Sequence, residues 1–154
     1  MPSHASLTGA DLHEPKGAAA ATANKVYVSD GAASGSWKSG SVGAAYGTIV
    51  DVSSTSNDGE TWIVLPYACT VTKVSTVINA AITVADSILT VTNNAGSSMG
   101  TITIAFTGAA AGDIDTLTPS SNNTFTAGQK IRINSDGGSS TNASATVTVE
   151  FTYT

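Results

Sequence analysis

The chain has two histidines, His4 and His13, and one cysteine, Cys69, so chemistry built on imidazole or thiolate has few parts to draw on. Both histidines fall in a stretch rich in Gly, Ala and Ser, where no rigid element is evident to hold a ring within hydrogen-bond reach of a serine hydroxyl. Cys69 stands at the head of an apolar run, Cys69-Thr70-Val71, and is expected to be a small buried hydrophobe. As the lone cysteine it forms neither an internal disulfide nor a multi-cysteine metal site. Asp113-Ile114-Asp115 puts two carboxylates on one side of an extended chain, the kind of oxygen pair that Ca²⁺ accepts. Two acids in a Gly-flanked loop also read as solvated turn residues, the commoner use. Gly31, Gly35, Gly40 and Gly43 lack the Gly-Lys-Ser/Thr ending of a P-loop and the strand-turn-helix setting of a dinucleotide fingerprint. The expectation is a protein that is not an enzyme and that takes no cofactor and no metal.

The one dense polar cluster is Asp11-Leu12-His13-Glu14-Pro15-Lys16-Gly17. As a metal site it has little preorganisation, whereas Pro15 pre-sets the backbone and lowers the entropy lost when a partner captures the segment. Leu12, His13, Glu14, Pro15 and Lys16 are therefore candidate docking residues. Trp37, isolated in Gly35-Ser36-Trp37-Lys38-Ser39-Gly40, joins them as an anchor with large contact area; the alternative is a ring folded back on its own domain.

These candidates need elements to carry them. Charged residues make up 11% of the chain, less than half of the roughly 25% common in soluble domains. Sheets usually guard their edges with charge, so the edges here are expected to be covered by a partner subunit or, in a monomer, by loops. A net charge of −5 argues against nucleic acid, whose binding relies on clustered Lys and Arg. The N-terminus lacks the basic and apolar regions of a secretory signal, and no run approaches the roughly 20 apolar residues that span a bilayer. Synthesis in the cytoplasm and no membrane partner are the expectations.

Residues 1–58 are rich in Gly, Ala and Ser, with bulky apolar side chains too scattered for a core of their own, and read as an extended N-terminal arm. Within it Val26-Tyr27-Val28 could pair as a short strand, and Gly35 to Gly40 reads as flexible chain. From Thr61 the period becomes two: Val147, Val149, Phe151 and Tyr153 alternate with polar residues, as do Ile102, Ile104 and Phe106, and Ile131 and Ile133, the pattern of strands with one buried face. Further strands are predicted at Trp62 to Leu65, Cys69 to Ile78, Ile82 to Val84 and Ser87 to Thr92. The phase slips between Val71 and Val74, across Lys73, which predicts a bulge or bend there. Turn signals at Asn93-Asn94-Ala95-Gly96 and Asp136-Gly137-Gly138 separate the runs. The predicted fold is an all-β sandwich over 59–154, with a jelly roll favoured over an immunoglobulin topology.

Leu7-Thr8-Gly9-Ala10-Asp11-Leu12-His13-Glu14-Pro15-Lys16-Gly17, followed by Val26 to Gly31 and Gly35-Ser36-Trp37, resembles N-terminal segments of tailed-bacteriophage virion proteins, notably head-fibre, capsid-decoration and tail-fibre proteins. The remainder, from Trp62 to Cys69 and on through Asn122 to Gly128, is similar to β domains of the same group. The resemblance implies a structural protein on the virion surface, often a homotrimer, with the arm docked on the major capsid protein and the β domain outward. It carries over no active-site residue. The short chain favours a capsid decoration (cement or head-fibre) protein over a tail fibre with a long shaft. The alternative is a tail-associated or head-displayed adhesin that holds host glycans on loops of the β domain, with Tyr67 the evident loop aromatic.

Overall fold

A computed structural model describes residues 25–29, 35–39, 44–139 and 142–153, with side chains from residue 47 onward, Asn57 excepted. The chain divides into two compact units, Met1–Ser41 and Val42–Thr154. In the first, β1 (Lys25–Ser29) pairs antiparallel with β2 (Gly35–Ser39). The stretch expected to be flexible chain is thus a strand, because Val26-Tyr27-Val28 gives it a partner ladder that its own composition does not announce.

The second unit is an all-β sandwich. Its strands are β3 (Ala44–Asp51), β4 (Glu60–Val64), β5 (Cys69–Ile78), β6 (Ser87–Thr92), β7 (Ser98–Ile104), β8 (Ile114–Leu117), β9 (Thr124–Phe125), β10 (Lys130–Ser135) and β11 (Ser144–Tyr153). One sheet has the order β4-β10-β6-β7; the other runs β3-β11-β5-β8, with β9 also on β5. Every pairing is antiparallel, and apart from the two-residue β9 the pairs nest: β3 with β11, β4 with β10, β5 with β8, β6 with β7. First pairs with last and second with second-to-last, which is the connectivity of a jelly roll.

The core lies between the sheets and is built from alternate residues of each strand. β5 supplies Val71, Val74 and Ile78, β11 supplies Ala145, Val147, Val149 and Phe151, and β10 supplies Ile131 and Ile133, all essentially inaccessible. The bulge expected near Lys73 is present: Lys73 faces Glu150 and Val71 faces Phe151, leaving Thr72 as the extra residue. A second irregularity lies across β6 and β7, where Val91 faces Gly100 and Thr92 faces Ser98. Gly100 has φ of +139°, and a Cβ there would stand 2.5 Å from Leu117 Cδ1, so this turn of the ladder needs glycine.

Three expectations are corrected. The sandwich begins before residue 59, since β3 runs alongside β11 from Ala44↔Phe151 to Asp51↔Ser144; Ala44, Ala45 and Gly47 are too small to display an alternating pattern, and only Val50 and Val52 mark the buried side. Ile82 to Val84 is not a strand: Ile82 is buried, but Val84 is 73% exposed with φ of +79°, a left-handed backbone that no ladder accepts. Phe106 does not continue the buried face of β7; it lies beyond the strand and is 43% exposed.

Candidate functional site

β4 is an edge strand, and Ile63 buries its side chain between the sheets, which sends Trp62 and Val64 to the outer face. On the neighbouring β10, the buried pair Ile131 and Ile133 sends Lys130, Arg132 and Asn134 outward. The antiparallel register then sets Arg132 opposite Trp62, Lys130 opposite Val64 and Asn134 opposite Glu60. Cross-strand neighbours of this kind stand close enough for their side chains to meet.

They do meet. Arg132 Nη2 donates to Glu60 Oε2 at 2.6 Å, with Asn134 Oδ1 at 3.4 Å. Lys130 Nζ stands 4.1 Å from the centroid of the Trp62 ring, and Arg132 Cζ 5.5 Å from it, both within cation–π range. The hydrogen bond from Arg132 holds the Glu60 carboxyl below its ordinary 4.5, aided by the charge of Arg132 and, less, by Trp62 and Lys130, against a smaller upward push from burial. The same bond raises Arg132. The indole, 46% exposed, is thereby framed by a carboxylate, a carboxamide and two cations. The polar field continues across the sheet, Asn134 facing Thr90 and Thr90 facing Thr101, while Arg132 faces Thr92. Arg132 Nε and Thr92 Oγ1, on directly opposed residues, are buried without a hydrogen-bond partner among the described residues. A half-exposed indole beside donors and acceptors carried on paired strands can stack the C–H face of a sugar ring, once the Lys130 ammonium moves aside, and those groups can hydrogen-bond its hydroxyls.

The residues singled out from the sequence are distributed otherwise. Leu12, His13, Glu14, Pro15 and Lys16 lie outside the described residues. Trp37 lies in β2, its backbone opposite Tyr27. Tyr67 sits in the β4–β5 loop, 59% exposed, edge-on to Tyr153 at 5.5 Å; Tyr153 in turn meets Phe151 edge-on at 5.6 Å. Asp113 spends a carboxylate oxygen on the backbone N–H of Ala110. Asp115 borders a cavity of about 210 Å³ that Ile78, Ile104 and Asp113 also line, and burial, then the charge of Asp113, raises its carboxyl above the ordinary range. Among the described residues no three or more His, Cys, Asp or Glu side chains group as a metal site. Cys69 is fully buried, as expected, and burial pushes its thiol up.

Sequence reading missed the Trp62 cluster. The Ile131/Ile133 pair already marks Lys130 and Arg132 as outward residues, but the unbroken apolar run Trp62-Ile63-Val64-Leu65 does not say which of its sides is buried. What alternation does not contain is the pairing of β4 with β10 across some 70 intervening positions.

No protein-family model matches the chain, and no curated protein matches it. Among solved structures it is similar to the carbohydrate-binding module CsCBM6-3 from Clostridium stercorarium in complex with cellobiose, at 18% identity and TM-score 0.43, over 87% of this chain and 86% of that one. It is also similar to a family 6 carbohydrate-binding module, at 13% identity and TM-score 0.40 over 70% and 94% of the two chains. A third is the carbohydrate-binding module CBM36 in complex with calcium and xylotriose, at 13% identity and TM-score 0.39 over 60% and 71%. With TM-scores below 0.5, these likenesses add nothing to the pairing pattern that defines the sandwich.

Proposed function

We propose that the Val42–Thr154 unit is a non-catalytic saccharide-binding domain whose binding surface is the outer face of the β4-β10-β6-β7 sheet around Trp62. The observation that carries the reading is the half-exposed indole, held on an edge strand by Lys130 and Arg132 and flanked by Glu60 and Asn134. A rigid aromatic plane with convergent polar groups favours a ring that has one apolar face and a hydroxylated rim. An oligosaccharide array probed with the full chain and with Trp62→Ala tests it. Binders lost in the variant support the reading; an array with no binders refutes it.

A second reading is decoration of the outside of a phage head as a homotrimer, with Leu12 to Lys16 and Trp37 docking on the major capsid protein. It is supported by the resemblance of the N-terminal segment and by an apolar row on the opposite sheet. There Ile49 (67% exposed), Thr146, Val77 (37%) and Ile114 (67%) face one another in register across β3, β11, β5 and β8. A row of that kind suits burial against a second copy. Quantitative mass spectrometry of particles tests this role: hundreds of copies per virion support it, and a handful per virion refutes it. The two readings use different sheets, so one face can assemble while the other holds sugar.

A further inference from the structure

Among the described residues, the Trp62 face carries the cation that has no carboxylate at ion-pair distance. The chain bears a net charge of −5, and from residue 42 onward its cations are Lys73, Lys130 and Arg132. Lys73 stands 3.8 Å from Glu150, and Arg132 spends Nη2 on Glu60. Lys130 has no carboxylate at ion-pair distance among the described residues; its ammonium rests over the Trp62 ring. Lys130 is exposed and the β4–β10 ladder is held by the backbone, so its side chain can move without disturbing the strand.

A sugar that stacks on the indole must move that ammonium aside. A neutral sugar takes the ring from Lys130 and returns only hydroxyl oxygens to its ammonium, whereas an anionic sugar offers a full charge to the displaced ammonium and to the exposed part of the Arg132 side chain. Specificity is a difference between such exchanges, and a small cationic spot on an acidic domain also concentrates anions there rather than elsewhere. Resting on the saccharide-binding reading, we infer that the Trp62 platform selects acidic saccharides, with Lys130 the discriminating residue. The charge recognised is an anionic oxygen group beside a pyranose ring, either a uronate carboxylate or a sulfate ester.

Matched probes separate charge from ring shape: oligogalacturonate against its methyl ester, and dextran sulfate against dextran, titrated into the full chain, Trp62→Ala and Lys130→Met. The last keeps the aliphatic stem and removes the charge, and a thermal melt confirms that it folds. The acidic member of at least one pair is expected to bind about tenfold more tightly at low salt. Lys130→Met should remove most of that preference, and so should about 1 M NaCl, where the screening length falls to about 3 Å. A preference confined to the first pair assigns carboxylate, and one confined to the second assigns sulfate. Equal affinity within both pairs, still abolished by Trp62→Ala, overturns the inference and leaves the saccharide reading standing. A preference that survives Lys130→Met overturns the role of Lys130; no binding to any of the four probes overturns the inference, and the saccharide reading falls with it only when the oligosaccharide array also shows no binders.

Discussion

Replacing Trp62 by alanine separates a binding platform from a structural ring, because the two roles predict different losses. The indole is half exposed on an edge strand, and its two cations stand at 4.1 and 5.5 Å. Cation–π contacts at exposed sites contribute about 0.5–1 kcal/mol each, and the more distant Arg132 belongs at the lower end. The difference in strand preference between Trp and Ala adds up to about 1 kcal/mol. The fold should therefore lose about 2 kcal/mol, a fall in Tm of about 8 °C for a unit of this size. Binding should lose more in relative terms, since truncating a central aromatic anchor costs about 2 kcal/mol or more, close to thirtyfold in Kd. The assay is paired: urea unfolding for stability, and titration calorimetry with the tightest oligosaccharide found. Unchanged affinity would refute the platform, and a domain that no longer folds would show the ring to be a core residue instead.

Gly138→Ala should destabilise the sandwich by about 2 kcal/mol, because a Cβ there would stand 2.1 Å from the backbone oxygen of Asp86, whose carboxylate holds the N–H of Phe106; urea unfolding reads it. Val84→Asn should stabilise by about 1 kcal/mol, since asparagine tolerates the positive φ that a β-branched residue resists, and a thermal melt would show the gain. Two carboxylates should give pH effects of opposite sign. Arg132 depresses Glu60, so that contribution is fully present above the ordinary value of 4.5 and is lost as pH falls through the depressed one; the stability gap between wild type and Glu60→Gln should close in acid. Burial and Asp113 raise Asp115, so its ionised form opposes folding at neutral pH. Asp115→Asn should therefore raise Tm at pH 7, with the gain vanishing as pH falls through the raised value.

Strands with heavy side chains on alternate positions were legible one by one. β6 is found at Ser87 to Thr92, and the slip between Val71 and Val74 is the bulge opposite Phe151. β3 was not legible, because Ala44, Ala45 and Gly47 have too little side chain to show which face is buried; its strand state comes from the ladder it shares with β11. Nor was β8, where Ile114 points outward and Leu117 packs partly on the core, an order that reads as loop until β5 is alongside. Val84 misled because its residue type favours a strand while its backbone is left-handed.

The site divides along the same line. Period-two patterning by itself determined that the chain folds as an all-β sandwich, much of its core, and that Lys130 and Arg132 face outward, because burial on a strand with one apolar face follows from alternation; in the unbroken apolar run Trp62-Ile63-Val64-Leu65 it did not say which pair is buried. Which outward residues become neighbours was decided by tertiary structure. The nested pairing brings Glu60 and Trp62 beside Arg132 and Lys130, and the same nesting places Ile49, Val77 and Ile114 in one row of the other sheet. Register between distant strands depends on how two whole faces fill a common core, and no local stretch of sequence carries that information.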